Sequence, residues 1–520
     1  MTDTTTQFKK QLPRNSFFQV LGFISNVAIG ILLVPYLVKH LGRAAYGLIP
    51  IAGMMTQYVA LISYSISSAV NRFLTIALQQ NDTDEANRIF NTAFFSYLAI
   101  GLLQIPVFVL VIYYANTIFS IPEQLYRDVI ILLVCSAASF LLNLACSVFT
   151  VPMYANNRLD LLRGLDVARL ILRLTGIVTL FMVFGPALRY VGYVDLALTL
   201  ILCLTRIQIA KRLSPMLQVA FRYYDWHKVR ELTGMGGWLL INQLGGLLFL
   251  RMDVWICNRF VSPEAAGDYA AVLQWSNLIR QAGVILGGVI APMIMIYYAR
   301  SEIENLIRLS KVSVRVFSLI LAVPIGVLCA FSAPLLRIWL GESFVPLAPL
   351  MVLMLCHLVV NVGVLPLFNI QIAMNKVKWP GILTLLMGIL NVALAISFVK
   401  YLNWGLYGVA IAGAVVLTAK NALFTPIYAA IILHQRWHAF LKPYVTGGGL
   451  MILLMLLGYA ATRYMIPNSW VHLLLFCALI GTVGLVAVWV LLPGSDRRLM
   501  VGMMPVRLQT VAARLKIVSA

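Results

Sequence analysis

Stretches of about 20 apolar residues recur along the whole chain. Twenty residues is the length an α-helix needs to cross the roughly 30 Å hydrocarbon core of a bilayer. Fourteen such spans are read at 16–38, 48–78, 91–114, 129–152, 165–184, 191–210, 236–258, 268–298, 312–333, 346–370, 379–401, 405–434, 442–462 and 470–492. None has the short alternating pattern of a barrel strand, and lipid demands that backbone groups be satisfied internally, so helices are the economical reading. Of the 520 residues, 61% are apolar and 11% charged, against about 45–50% and about 25% in soluble domains. A soluble enzyme, a disordered chain and a low-complexity fibre are excluded. The expected fold is an all-α integral membrane protein with no sizeable soluble domain. The first span is too long for a cleaved signal and lacks a small-residue cleavage site after it.

Lys and Arg set the orientation. With the N-terminus in the cytoplasm, the even-numbered loops and both tails hold 24 cations, the odd loops eight, and the spans seven. This three-to-one bias places both termini on the cytoplasmic side. It also accounts for much of the +21 net charge as attraction to an anionic inner leaflet, leaving membrane lipid as a partner and no nucleic-acid footprint. All seven cysteines fall within spans, where a free thiol acts as a small hydrophobe, so neither a disulfide framework nor a metal site is expected. No phosphate-binding G-x-x-x-x-G-K-[ST] motif is present, so neither ATP use nor any cofactor is expected.

The chain matches itself weakly at a shift of about 220 residues. LGRAAYG (41–47) lies over VSPEAAG (261–267), with Gly47 over Gly267, and Arg88 lies over Arg308. Asn156 lies over Asn375, and GYV (192–194) lies near YGV (407–409). Six spans per half is an even number, so both halves enter the membrane the same way, as two parallel lobes about an axis along the membrane normal. The organisation expected is an N-terminal lobe (1–210), an amphipathic cytoplasmic helix (211–235), a C-terminal lobe (236–435), spans 13 and 14 (436–492) and a basic cytoplasmic tail (493–520).

The cations inside spans are the informative residues: Arg72, Arg169, Arg173, Arg206, Arg251, Arg280 and Lys420. Arg or Lys at a helix centre costs roughly 2.5–3.5 kcal/mol on an insertion scale. Each must therefore face protein, an acid or water. Arg72, Arg169 and Arg173 are close enough to the cytoplasmic side to snorkel. Arg251, Arg280 and Lys420 lie near mid-bilayer, where snorkelling is hard. Asp166, Asp195 and Asp253 are too few to neutralise the set. The simplest use of the surplus is an anion in a watery cavity, and structural ion pairing is the alternative. Asn26, Gln57, Asn242, Gln243, Gln274 and Asn277 are polar residues near these cations. Gln274, Asn277 and Arg280 share roughly one helix face. Interhelical hydrogen bonding would serve the same residues. With no nucleotide site, a gradient-driven or facilitated transporter remains, not an enzyme, and Asp253, Asp195 and Asp166 are its candidate ion-coupling carboxylates.

PYLVKHLGRAAYGLIPIAG (35–53), SSAVNRFLTIAL (67–78) and YDWHKVRELTGMGGWLLINQLGGLLFLRMDVWICNRFVSPEAAGDYA (224–270) resemble bacterial polysaccharide (O-antigen, Wzx-type) flippases. These belong to the multidrug/oligosaccharidyl-lipid/polysaccharide exporter superfamily. GILNVALAISFVKYLNWGLYGVAIA (388–412) resembles its spans 11 and 12. The resemblance implies two six-helix lobes around a cationic cavity lined mainly by spans 1, 2, 7 and 8, which carry Arg72, Arg251 and Arg280. It implies a polyprenyl-diphosphate-linked glycan as cargo and residence in the bacterial cytoplasmic membrane. Glycan polymerases and glycosyltransferases of the same pathway are implied partners. A diphosphate is a dense anion, and the guanidinium fork matches phosphate oxygens. A cation-coupled multidrug exporter of the same superfamily and a non-transporting scaffold of a polysaccharide-synthesis complex are the rival readings.

Overall fold

The computed structural model describes residues 2–80, 82–233 and 237–497. The tail cations Arg498, Arg507, Arg514 and Lys516 lie outside the described residues. Among those described, the regular elements are all helices. Thirteen helices are long and apolar enough to cross a membrane. A fourteenth span is the bent pair Leu240–Leu250 and Met252–Phe260, whose halves meet at 42°. Each of the fourteen spans read from the sequence has its helical counterpart.

Two compact units share the chain: Met1–Ala271 with Thr384–Val409, and Val272–Leu383 with Ala410–Ala520. The bent pair and the helix Lys378–Lys400 thus fold largely with the N-terminal unit. The reason is close packing. The Gly245 α-carbon lies against the backbone of Thr384 and Leu385, and Gly388 lies against the Gly245 carbonyl. A Cβ at either glycine would collide with backbone. The same unit holds Gly47 against Gly267 and Gly267 against the Arg43 carbonyl. Two positions that the 220-residue repeat equates therefore stand backbone to backbone. Arg43 Nη1 adds an ion pair to Asp268 Oδ2 at 3.2 Å.

The segment 211–235, expected as one amphipathic helix, takes a different course. The preceding helix runs to Leu213, a single 3-10 turn follows at Phe221–Tyr223, and α-helix resumes at Trp226–Thr233. Between them the backbone is laced to the helix Thr83–Tyr113. Asn87 donates to the Met216 carbonyl and accepts from Gln218 N–H, at 3.0 and 2.8 Å. One turn on, Asn91 does the same for the Gln218 carbonyl and Ala220 N–H, both at 2.8 Å. A carboxamide offers one donor and one acceptor side by side, so two of them four residues apart satisfy an extended strand. Helix periodicity in the linker could not reveal partners supplied by another element.

In the second unit the helix Ile303–Ala330 is central, with Leu319, Ala322 and Ile325 fully buried. Span 13 packs on it through glycines: Gly447 on Ser318, and Gly458 on Ala330 and Phe331. Small residues let membrane helices approach closely where no hydrophobic drive exists between them. Span 12 contains a π-turn at Lys420–Phe424, just before Pro426. Proline lacks the N–H that would bond four residues back, and its ring crowds that carbonyl; a wider turn relieves both.

Candidate functional site

Within the first unit, Arg251 is the joint of the bent span. Its φ of −127° and ψ of −24° interrupt the helix. Both halves are anchored: the first by Gly245 against residues 384–385, the second by side-chain bonds to the 118–120 backbone. Trp255 Nε1 donates to the Ile118 carbonyl at 3.0 Å, and Asn258 exchanges two bonds with Ser120, at 2.9 and 3.1 Å. The bend falls between them, so Arg251 is presented by a non-helical residue rather than by a regular face. It is half-buried and makes no ion pair among the described residues. Asp253 is buried and accepts from Tyr269 Oη at 2.9 Å. The buried Tyr58 hydroxyl, without a hydrogen-bond partner among the described residues, stands within electrostatic reach of both Arg251 and Asp253. Tyr58 and Tyr269 escaped the sequence reading, because a tyrosine in an apolar run carries no signal of its own.

The cations of spans 5 and 6 are arranged differently. Arg173 Nε and Nη2 donate to both oxygens of Asp195, at 2.8 and 2.9 Å. Asp166 pairs with Arg163 at 3.3 Å, an i,i+3 contact. Arg206 donates to Asn143 Oδ1 at 3.1 Å, while its buried Nε meets no hydrogen-bond partner among the described residues. Arg169 lies in the field of Asp195, Arg173 and Arg206. Arg173, placed among the anion-binding cations, has its fork already filled. Of the ion-coupling candidates, Asp195 is bridged by both oxygens to Arg173, and Asp166 makes an exposed contact to Arg163 on its own helix. Arg72 is exposed and lies 5.8 Å from the Phe73 ring centroid. Asn26, Gln57 and Asn242 are half-buried in this unit, and Gln243 is exposed.

The second unit holds Gln274, Asn277 and Arg280, all half-buried on one helix. Arg280 is within electrostatic reach of His357. Asn361 Nδ2 donates to His357 Nδ1 at 2.7 Å and to Thr418 Oγ1 at 3.0 Å. Two residues beyond Thr418, the π-turn carries Lys420, only 5% exposed. Its Nζ sits 5.0 Å from the centre of the Phe368 ring, and no carboxylate pairs with it among the described residues. Asn421 is buried beside it, with Thr425 Oγ1 at 3.4 Å. Asn361 and Phe368 of span 10 meet Thr418 and Lys420 of span 12 here, a pairing between spans that sequence spacing could not assemble.

A family model described as polysaccharide biosynthesis protein matches residues 37–349. The uncharacterized membrane protein EpsK of Bacillus subtilis (strain 168) is 31% identical over 421 residues, 81% of this chain and 83% of that protein. Among solved structures, the lipid II flippase MurJ in an inward closed conformation has a TM-score of 0.66 at 13% identity, over 90% of this chain and 97% of its own. An inward-facing multidrug resistance MATE family transporter of the MOP superfamily has a TM-score of 0.58 at 16% identity, over 84% and 98%. The eukaryotic MATE transporter AtDTX14 has 0.60 at 13% identity, over 85% and 99%. Identities this low speak to fold.

Proposed function

The chain belongs to the polysaccharide biosynthesis protein family and has the fold of MOP-superfamily transporters, and from that premise we propose that it is a flippase for a polyprenyl-diphosphate-linked oligosaccharide. It moves this cargo from the cytoplasmic to the outer leaflet for cell-surface polysaccharide assembly, by alternating access. The supporting observation is that two cations inside membrane-length helices, Arg251 and Lys420, have no acid partner among the described residues. Lys420 is buried against an aromatic ring, and Arg251 stands at a helix joint. A cation in low dielectric without a counter-charge is costly, and an anionic cargo repays the cost. In the first unit Arg251 offers a diphosphate charge-assisted hydrogen bonds; in the second unit Arg280 offers the same, and Lys420 supplies a further positive charge. Cationic drugs would require the opposite sign, and the Asp195 carboxylate that could meet them is bridged to Arg173.

The protein resides in the bacterial cytoplasmic membrane with both termini in the cytoplasm, as the Lys and Arg distribution favours. Glycan polymerases and glycosyltransferases of the pathway are its working partners. The test is a proteoliposome assay with the lipid-linked oligosaccharide on one leaflet and an impermeant glycosidase outside. Protein-dependent exposure of the glycan is expected, with and without an ion gradient. It should be lost when Arg251→Ala and Arg280→Ala are combined in a protein that still folds. Normal exposure by that double variant would sink the site.

A further inference from the structure

The first turns of the helix Ile303–Ala330 carry a charge arrangement that the transport reading does not use. Arg308, Lys311 and Arg315 are spaced by three and four and project from one face. With Glu304, Gln435 and Asp496 they line an open cavity of about 460 Å³ in the second unit. That volume falls in the range of small-ligand sites, roughly 300–1,000 Å³. The three cations are not equally engaged. Arg315 Nη1 donates to Asp496 Oδ2 at 2.5 Å, and that carboxylate is 8% exposed. Among the described residues Lys311 Nζ has only the neutral amide oxygen of Gln435, at 3.4 Å, a long and weak bond. Arg308 is exposed and makes no ion pair among the described residues. Three cations against Glu304 and Asp496 leave one positive charge, concentrated on Arg308 and Lys311.

We propose that this cavity binds the phosphodiester of an acidic phospholipid headgroup. A phosphodiester carries a single negative charge and two free oxygens, enough for the guanidinium of Arg308 and the ammonium of Lys311 together. The cargo's diphosphate carries more charge than this cavity balances. The lining comes from the segment entering span 9, the end of span 12 and the residues after span 14. In the orientation proposed above, all three are cytoplasmic, so the cavity opens at the level of the inner-leaflet headgroups. Basic pockets between spans on that side are where acidic lipids lodge. Only the choice of leaflet rests on the proposed orientation.

The experiment is native mass spectrometry of the full chain in detergent, titrated with phosphatidylglycerol or with phosphatidylcholine. Selective retention of phosphatidylglycerol is expected. The Arg308→Ala/Lys311→Ala variant should bind it at least tenfold more weakly, with an unchanged melting temperature in phosphatidylcholine. Glu304→Gln removes a competing carboxylate and should bind two- to threefold more tightly. It keeps the test alive if the double variant fails to fold. Equal retention of both lipids, or phosphatidylglycerol binding indifferent to all these substitutions, overturns the proposal. Millimolar inorganic phosphate should not displace the lipid; displacement would make free phosphate the ligand. Lipid binding without glycan exposure in proteoliposomes would refute the transport reading and leave this site standing.

Discussion

Arg173 and Lys420 are both cations within membrane-length apolar helices, Arg173 one turn from Arg169 and nearer the cytoplasmic end, Lys420 near mid-span. The protein treats them oppositely. Arg173 is held by both oxygens of Asp195, with about a quarter of each side chain exposed. Lys420 is buried more deeply, at 5%, and is offered an aromatic face instead of an acid. A cation–π contact contributes about 0.5–2 kcal/mol, less than the several kcal/mol that burying an ion costs. The arginine is therefore explained by the fold, and the lysine is not. A cation that folding leaves under-compensated is the better candidate for a ligand site.

The sharpest way to break this contrast is to remove Asp195. Asp195→Ala strands Arg173, and we expect a loss of about 3 kcal/mol, read as a lower unfolding midpoint. Arg173→Met in the same chain should restore most of it. Stability indifferent to Asp195→Ala would return Arg173 to the pool of cargo-binding cations.

Lys420→Met tests the other side. A linear apolar side chain of similar length fits the same space, so stability should hold or rise. Glycan exposure should fall at least tenfold, equivalent to about 1.4 kcal/mol in the transport barrier. A destabilised protein with normal transport would make Lys420 a structural residue.

Smaller effects probe how Lys420 is presented. Pro426→Ala returns the N–H whose absence favours the π-turn. We expect unchanged or slightly higher stability with transport reduced several-fold; full transport would show that the turn's geometry is immaterial. Thr418→Val leaves Asn361 with His357 alone, and should cost about 0.5–1.5 kcal/mol in the unfolding midpoint, with a transport defect no larger than that of Lys420→Met.

Much of the architecture was legible in the residues. Apolar length alone located all fourteen spans, because a helix in lipid satisfies its own backbone and needs no knowledge of its neighbours. Even the joint at residue 251 fell inside a predicted span, although nothing in GWLLINQLGGLLFL or MDVWICNRF announces a 42° bend. The linker is helical at Trp226–Thr233, while its stretch around 216–220 is extended because its partners, Asn87 and Asn91, lie over 120 residues earlier. The candidate site was legible as a set of residue types and illegible as an arrangement. Arg251, Arg280 and Lys420 stood out by cost and by depth, and Arg173 as a cation near enough the cytoplasmic side to snorkel; its partner Asp195, 22 residues away on the next helix, was visible only in the structure.

Local physics was thus readable from the chain: span length, charge bias across the membrane, and the expense of each intramembrane cation are properties of a segment and its solvent. Pairing was decided only by the tertiary structure. Which cation meets an acid, which meets a ring and which stands at a broken helix depends on side chains brought together from distant segments, and an ion's free energy in a low dielectric is set by those neighbours rather than by its own position in the chain.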